Sequence, residues 1–463
     1  MPSPARVRRP AWAGRNYTLL TAAAVVTGLG NSGALVAAAF AVLESGGSGT
    51  DVGLVAAART VPLVVFLLIG GAVADRLPRH RVMVAANALN CVSQTLFGLL
   101  VLSGEALSAG LWPVLLLSAL GGTGHAFFAP AAEGMLLATV SGEHSARAFA
   151  FFRMGMSGAN IGGAALGGLL VAAAGPGWVL VLDGAAFAVA AALRAFLDIR
   201  EMPERPPAGG LPAQLREGWR EVAGRTWLWA VVLQFAVINA VVGAAEAVYG
   251  PLVAQERLGG ARSWGLALAA FGAGTVLGAL LMTRLKPRRM LFTGSVAVFV
   301  LALPSAALAV PVPVWALCLV MLVSGVAVEV FAVGWMTALH QEIPEDKLSR
   351  VSSYDWFGSV AMVPVATALA GPAADLFGRE AALWGCSALI VLLTAAVLTV
   401  PDVRNLTRRG PGAAAPGTVD ALGGKATAAL PAAPPVPPVP TGPSAPAAGE
   451  ATGPEGTGPQ SRG

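Results

Sequence analysis

Charge is what this sequence has least of: only 12% of its 463 residues are Asp, Glu, Lys or Arg, about half the share of a soluble domain. A chain of this length that is 56% hydrophobic cannot surround one water-exposed core with so few charges, so an ordinary soluble enzyme is excluded. Cysteine is nearly absent too. Cys91, Cys318 and Cys386 all fall in apolar runs, an odd set that provides neither a disulfide framework nor metal-ligand spacing. No G-x-x-x-x-G-K-[ST] phosphate loop occurs, so ATP hydrolysis has no such cradle. The formal charge of +5 is not gathered on a stripe, as a nucleic-acid binder would require. It lies in short gaps between apolar runs.

Those runs are the positive content of the sequence. Twelve of them reach the roughly 17 to 25 residues that cross a bilayer, and together they predict an all-α integral membrane protein. Counting Lys and Arg in alternate gaps puts 23 on one side and only Arg257, Arg262 and Arg379 on the other. The retained positive charge therefore predicts a multi-pass protein of the cell membrane with both termini cytoplasmic. Trp112, Trp178, Trp227, Trp264, Trp315 and Trp384 stand near run ends, where interfacial aromatic belts are expected.

The longest internal gap divides the runs six and six. The expected organisation is a basic cytoplasmic leader (1–16), an N-terminal six-helix half (17–199), a cytoplasmic linker (200–225), a C-terminal half (226–400) and a tail (401–463). In the linker, Leu211, Leu215, Trp219 and Val222 recur at helical spacing against Arg216, Glu217, Arg220 and Glu221, the pattern of a surface-lying amphipathic helix. The tail is dominated by Pro, Ala and Gly and is expected to be disordered. Sliding the fourth and fifth runs forward by 203 positions puts Gly122 on Gly325, Phe128 on Phe331, Arg147 on Arg350 and Gly168 on Gly371. Two such repeats imply pseudo-symmetric halves with a site at their interface, reached alternately from each side.

Two motifs carry a family likeness. Gly71-x-x-x-Asp75-Arg76-x-Pro78-Arg79 is similar to the cytoplasmic loop signature G-x-x-x-D-R-x-G-R of the major facilitator superfamily, with Pro78 in place of the second glycine. Gly71 permits close helix approach, and Asp75 can pair with arginines or a helix N-terminus as a breakable latch. Gly158-Ala-Asn-Ile-Gly162-Gly163-Ala-Ala-Leu-Gly167-Gly168 resembles the superfamily's antiporter motif, with Gly163 where its proline stands. Stretches such as Gly53 to Arg76, Phe127 to Leu137 and Leu182-Asp183-Gly184-Ala185-Ala186-Phe187 resemble the macrolide-efflux and enterobactin-exporter branch. This resemblance implies twelve helices in the major facilitator fold and proton-coupled efflux of a small amphipathic molecule by alternating access. It implies no enzyme activity, and the expected partners are the substrate, protons and the bilayer, with no cofactor, metal or nucleic acid, and a monomeric state. A lysophospholipid transporter of the same fold, or a membrane sensor or scaffold, are the alternatives. Where the branch often carries an acid after the glycine of helix one, this chain has Gly30-Asn31-Ser32.

Ionisable residues inside apolar runs are costly, and so are functional candidates by default. Glu329, near the middle of run ten, is the leading proton-coupling candidate, followed by Glu246 and Glu133. His125, Asn31, Gln234 and Asn239 are candidates for contact with substrate. Arg59, Arg153, Asp183 and Asp355 are placed nearer the membrane faces, where pairing across helices is expected. Gly155-Met156-Ser157-Gly158 reads as G-x-S-G, but within a glycine-rich helix of a twelve-run repeat it does not indicate a serine protease.

Overall fold

The computed structural model describes residues 14–74, 79–138, 144–197, 219–285 and 287–407, without the side chains of 67–74, 79–80, 128–138, 145–146, 345–346 and 349–350. The tail beyond residue 407, the 200–218 part of the linker, and Asp75 and Arg76 lie outside the described residues, whereas the start of the tail, Pro401–Asn405, is helical and buries Val403 instead of being disordered. Among the described residues all regular structure is helical. The reason is the solvent: lipid offers no hydrogen bonds, so each spanning segment must satisfy its own backbone.

The first six long helices are α1 (Arg15–Glu44), α2 (Gly49–Ala74), α3 (Arg79–Leu102), α4 (Trp112–Ala138), α5 (Ser145–Ala174) and α6 (Pro176–Ala195). The second series is α7 (Thr226–Leu258), α8 (Ala261–Arg284), α9 (Met290–Ala309), α10 (Val314–Glu342), α11 (Glu345–Val360), α12 (Val363–Phe377) and α13 (Arg379–Leu398). Eleven spans among the described residues are long and apolar enough to cross a membrane, α11 and α12 contributing one of them, Val351–Phe377. The 27-residue α4 supplies a further helix of that length. The break between α11 and α12 has a local cause. Pro364 stands in the first turn of α12, where its ring would clash with the carbonyl four residues back and its missing N–H removes one ladder bond.

The repeat is visible in the packing. In the first series α1 packs on α5 and α6, α3 on α4 and α6, and α2 on α4; in the second, α7 packs on α12 and α13, α9 on α10 and α13, and α8 on α10. The same offset of 203 relates the ends of the helices, since Gly175 closes α5 at φ 88° and Gly378 closes α12 at φ 83°. Both turns need the left-handed region that glycine enters without strain. Gly122 and Gly325 perform the same task in each series: an added Cβ would run into the Arg59 carbonyl of α2 or the Phe271 carbonyl of α8. These small residues let backbones approach closely, which is how helices associate where lipid removes the hydrophobic drive.

The two series touch chiefly through α2 with α12 and α5 with α8. Gly371 faces the backbone of Thr50, Gly168 faces Ala261 and Gly265, and the Thr50 hydroxyl donates to Asp375 Oδ2 at 3.2 Å. All of these lie at the end of the bundle that carries the turns near residues 45–48, 175, 259 and 378, so the halves meet and close there. Two of the three basic residues of that end are engaged, Arg379 with Glu256 at 2.6 Å and Arg257 with Glu380 at 3.1 Å.

Trp112, Trp178, Trp315 and Trp384 are exposed near helix starts, as expected of interfacial residues, but Trp227 and Trp264 are buried. Trp227 meets Trp335 edge-on at 5.5 Å, beside the stacked pair Phe235 and Phe331 at 4.1 Å. Trp264 lies over Gly250, where a Cβ could not be accommodated. Position near a run end is thus insufficient to place an indole in the interface when a neighbouring helix offers a glycine to cover it.

The described end of the linker, residues 219–223, is helical and docks on the second series. Val222 is buried, Trp219 lies 6.1 Å from the Tyr354 ring, and Glu221 bonds both Lys347 and Arg225. Hydrogen bonds from Lys347 and then Arg225 hold the Glu221 carboxyl below its ordinary 4.5. A depressed carboxylate stabilises the docked form above its ordinary pKa, and that contribution is lost as pH falls through the lowered value. Amide hydrogen exchange over 219–224 should therefore accelerate beyond its intrinsic rate in a titration from neutral to about pH 3. In Glu221→Gln this acid-dependent component should vanish.

Candidate functional site

Between the two helix series lies a cavity of about 670 Å³, within the range of small-molecule sites. Its wall is largely apolar, with Phe97, Trp264 and Phe271 as the aromatic members. Four polar side chains matter most. Asn31, Arg59 and His125 come from the first series and Glu246 from the second.

Helix arithmetic explains why these four meet. Counted from the closed end, Asn31 is 13 residues in from Glu44, Arg59 10 from Gly49, His125 13 from Trp112 and Glu246 12 from Leu258. At 1.5 Å per residue these depths are all about 15 to 20 Å, close to half of a hydrocarbon core of about 30 Å. Arg59 thus belongs at mid-membrane and not nearer a face, which corrects the sequence expectation. Its Nη2 donates to Asn31 Oδ1 at 2.5 Å. Asn31 is therefore the acceptor for a half-buried guanidinium.

Glu246 occupies the first turn of a π-helical segment, Ala245–Tyr249, in α7. Such widened turns project a side chain out of the regular α-helical register and are frequent at functional sites. Among the described residues Glu246 makes no hydrogen bond or ion pair, and it is flanked in the wall by Gly243, Ala247 and, from α12, Val363 and Thr367. A carboxylate with nothing but cavity in front of it is available to a cation, a proton or a donor on a ligand.

The other candidates are distributed differently. Glu329 sits on α10 with its Cβ against Gly278 of α8, is half-buried, and is not part of the cavity wall; Arg153 of α5 is the charge that acts on it. Gln234 donates to Thr394 Oγ1 at 3.1 Å and Asn239 to the Ser359 carbonyl at 3.0 Å. Both tie α7 to its neighbours and do not reach the cavity. The Glu133 side chain lies outside the described residues, as do Asp75 and Arg76; Gly71 is in the last turn of α2 and Arg79 opens α3.

In the glycine-rich stretch, a Cβ on Gly163 would strike the Leu29 carbonyl and one on Gly167 would strike Gly33, whereas Gly158 and Gly162 face open or ordinary space. Two of the four glycines therefore seat α5 on α1. Asp355, expected to pair across helices, accepts from Trp335 Nε1 at 2.9 Å. Ser157, Asn160 and Gln94, none of them among the sequence candidates for substrate contact, also line the cavity, Asn160 accepting from the Ser32 hydroxyl at 3.1 Å. Helical spacing was the available signal: Ser157 and Asn160 lie one turn apart on the same face of α5.

The family model of the Major Facilitator Superfamily matches residues 20–363. A curated relative, the multidrug efflux pump Tap of Mycolicibacterium fortuitum, is 28% identical over 406 residues, covering 84% of this chain and 96% of its own. Among solved structures, the nucleoside transporter NupG superposes with a TM-score of 0.65 at 12% identity over 83% of this chain and 98% of its own. A peptide transporter of the POT family, in complex with sulfate, superposes with a TM-score of 0.67 at 14% identity over 87% of this chain and 97% of its own. At such identities these two likenesses concern the fold.

Proposed function

The chain belongs to the Major Facilitator Superfamily, and from that premise we propose that it exports a small amphipathic molecule in exchange for protons by alternating access. It is a membrane transporter and not an enzyme. The observation that carries the finer reading is the cavity itself. A largely apolar chamber holding Glu246 on one half and the Arg59–Asn31 pair on the other suits a ligand with a bulky apolar body and one or two polar groups. The relative named a multidrug efflux pump supports export over uptake.

Coupling follows from competition for one carboxylate. A proton and a substrate donor or cation both stabilise Glu246, and a site that holds only one of them at a time exchanges them as the halves rock. Glu246 is the coupling residue in this reading. Glu329 is assigned to the helix framework, and His125 and Asn31 to the substrate-facing wall. The positive-inside asymmetry of 23 basic residues against three supports cytoplasmic termini, so the closed end of the bundle faces outward and the cavity loads from the cytoplasm.

The test is accumulation of a fluorescent amphipathic cation such as rhodamine 6G, together with a panel of radiolabelled hydrophobic drugs, in cells expressing the protein. Accumulation of at least one compound below that of control cells, restored by a protonophore, is the expected result. If every compound accumulates as in control cells, or if efflux survives the protonophore, the proton-coupled exporter reading is wrong.

A further inference from the structure

Behind the cavity wall sits a carboxylate that the exporter reading does not use. Asp183 of α6 is only 1% exposed, and neither of its oxygens has a hydrogen-bond partner among the described residues. Its Oδ1 lies against Gly30 of α1, in the space a Cβ would fill, at 2.5 Å from that position. The next residue along α1 is Asn31, the acceptor for Arg59. A carboxylate without donors and a guanidinium bonded to a neutral amide thus stand one helix position apart. Burying a bare, ionised carboxylate is costly, and a guanidinium bonds an ionised acceptor about twice as strongly as a neutral one. Each group lacks the partner that the other would be.

The surroundings leave few other charges to consider. Arg59 is the charged group that acts on Asp183, and it acts on His125 of α4 as well. On α3 the nearest titratable residue is Cys91, whose carbonyl abuts Gly184. The described titratable residues of α1, namely Arg15, Tyr17 and Glu44, are 13 or more positions from Gly30. On α5, Arg147 and Arg153 lie ten or more positions from Gly163, which packs at the level of Leu29, a separation of about 15 Å along the helix.

We propose that Asp183 is a second proton-binding site, and that Arg59 discharges it by moving from Asn31 to Asp183 when the halves change sides. In the conformation described here, with the α2–α12 and α5–α8 seams closed, Asp183 carries the proton as a neutral acid and Arg59 rests on Asn31. When the seams part, α2 shifts relative to α1 and α6, the guanidinium reaches the Asp183 carboxyl, and the O–H bond breaks. The proton leaves to cavity water and the carboxylate remains paired with Arg59. The absence of a side chain at Gly30 is what keeps that path open. This rests on the transporter reading for its purpose, but its physical content is a protonation state tied to a conformation.

The experiment is an infrared pH titration of the purified, full-length protein, which reads the carboxylic C=O band and needs no substrate. Wild type, Asp183→Asn and Arg59→Gln are compared. A further protein, Thr50→Cys/Asp375→Cys with its three native cysteines replaced by serine, is titrated before and after closing the seam with a short methanethiosulfonate cross-linker. One acid band should be missing in Asp183→Asn. In Arg59→Gln that band should persist to a pH higher by about one to three units, because the discharging cation is gone. Cross-linking should have the same upward effect, since it holds the state in which Arg59 stays on Asn31; a merely structural Asp183 would not respond to the seam. A spectrum of Asp183→Asn identical to wild type, or a titration unmoved by both Arg59→Gln and the cross-link, overturns the proposal. Should Asp183→Asn fail to fold, the Arg59→Gln and cross-link titrations decide alone. Efflux measured on Glu246→Gln separates the two readings: unchanged efflux there removes the Glu246 exchange model and leaves the Asp183 titration to stand or fall by itself.

Discussion

Replacing Glu246 with glutamine should bring gradient-driven efflux down to the level of cells lacking the protein, while insertion and yield stay as in wild type. Glutamine keeps the volume and a hydrogen-bond acceptor but can neither take up a proton nor offset a cation. The side chain faces the cavity from a π-helical turn and has no partner among the described residues, so its removal breaks no helix contact. A change of this kind abolishes coupling without abolishing passage. Downhill equilibration of substrate in proteoliposomes without a pH gradient should therefore persist, within a few-fold of wild type. The comparison residue is Glu329, which packs on α8 outside the cavity wall. Glu329→Gln should retain gradient-driven efflux. Normal efflux by Glu246→Gln, or loss of coupling through Glu329→Gln instead, would return the coupling role to α10.

The second large effect is expected at the seam between the halves. Gly371 faces the backbone of Thr50, and Gly168 faces Ala261 and Gly265; these two glycines are equivalent under the 203-residue repeat. A leucine at either position would meet backbone and not a flexible side-chain tip, so the halves cannot close without shifting. Overpacking of this kind costs about 1 to 3 kcal/mol, which in a two-state equilibrium is a change of roughly 5- to 150-fold in population. Gly168→Leu and Gly371→Leu should each remain folded but be displaced from the closed arrangement, with efflux reduced accordingly. The readout is cross-linking between cysteines at positions 50 and 375, where the native side chains are 3.2 Å apart. Its yield should fall in both glycine variants, and an unchanged yield in both would show that the seam tolerates the added volume.

The register of the repeat, chosen on the sequence from residues such as Gly122 and Gly325, coincides with features that no periodicity could reveal. The two glycines admit a carbonyl of α2 and of α8, and Gly168 and Gly371 mark the two places where the halves touch. A small residue is recorded in sequence, but the backbone it admits is not. The same limit explains the distribution of polar residues. Asn31, Gln234 and Asn239 all interrupt apolar runs, yet Asn31 faces the cavity while the other two bond neighbouring helices. Removing an amide from lipid is equally favourable in either place, so the cost that marks these residues says nothing of which one they occupy.

What the sequence by itself determined is the all-helical membrane architecture, the number and approximate ends of its spans, and their twofold repetition. These follow from length, hydropathy and turn chemistry, because in lipid each helix must satisfy its own backbone and its limits are set by where the apolar run stops. What only the tertiary structure decided is the rotation of each helix about its axis and the depth of its polar residues relative to its neighbours. Those depend on which surfaces pack across α2–α12 and α5–α8, a property of pairs of helices far apart in the chain. That is why Glu246 and not Glu329 looks into the cavity, why Arg59 stands at mid-membrane on Asn31, and why Asp183 lies hidden beside Gly30.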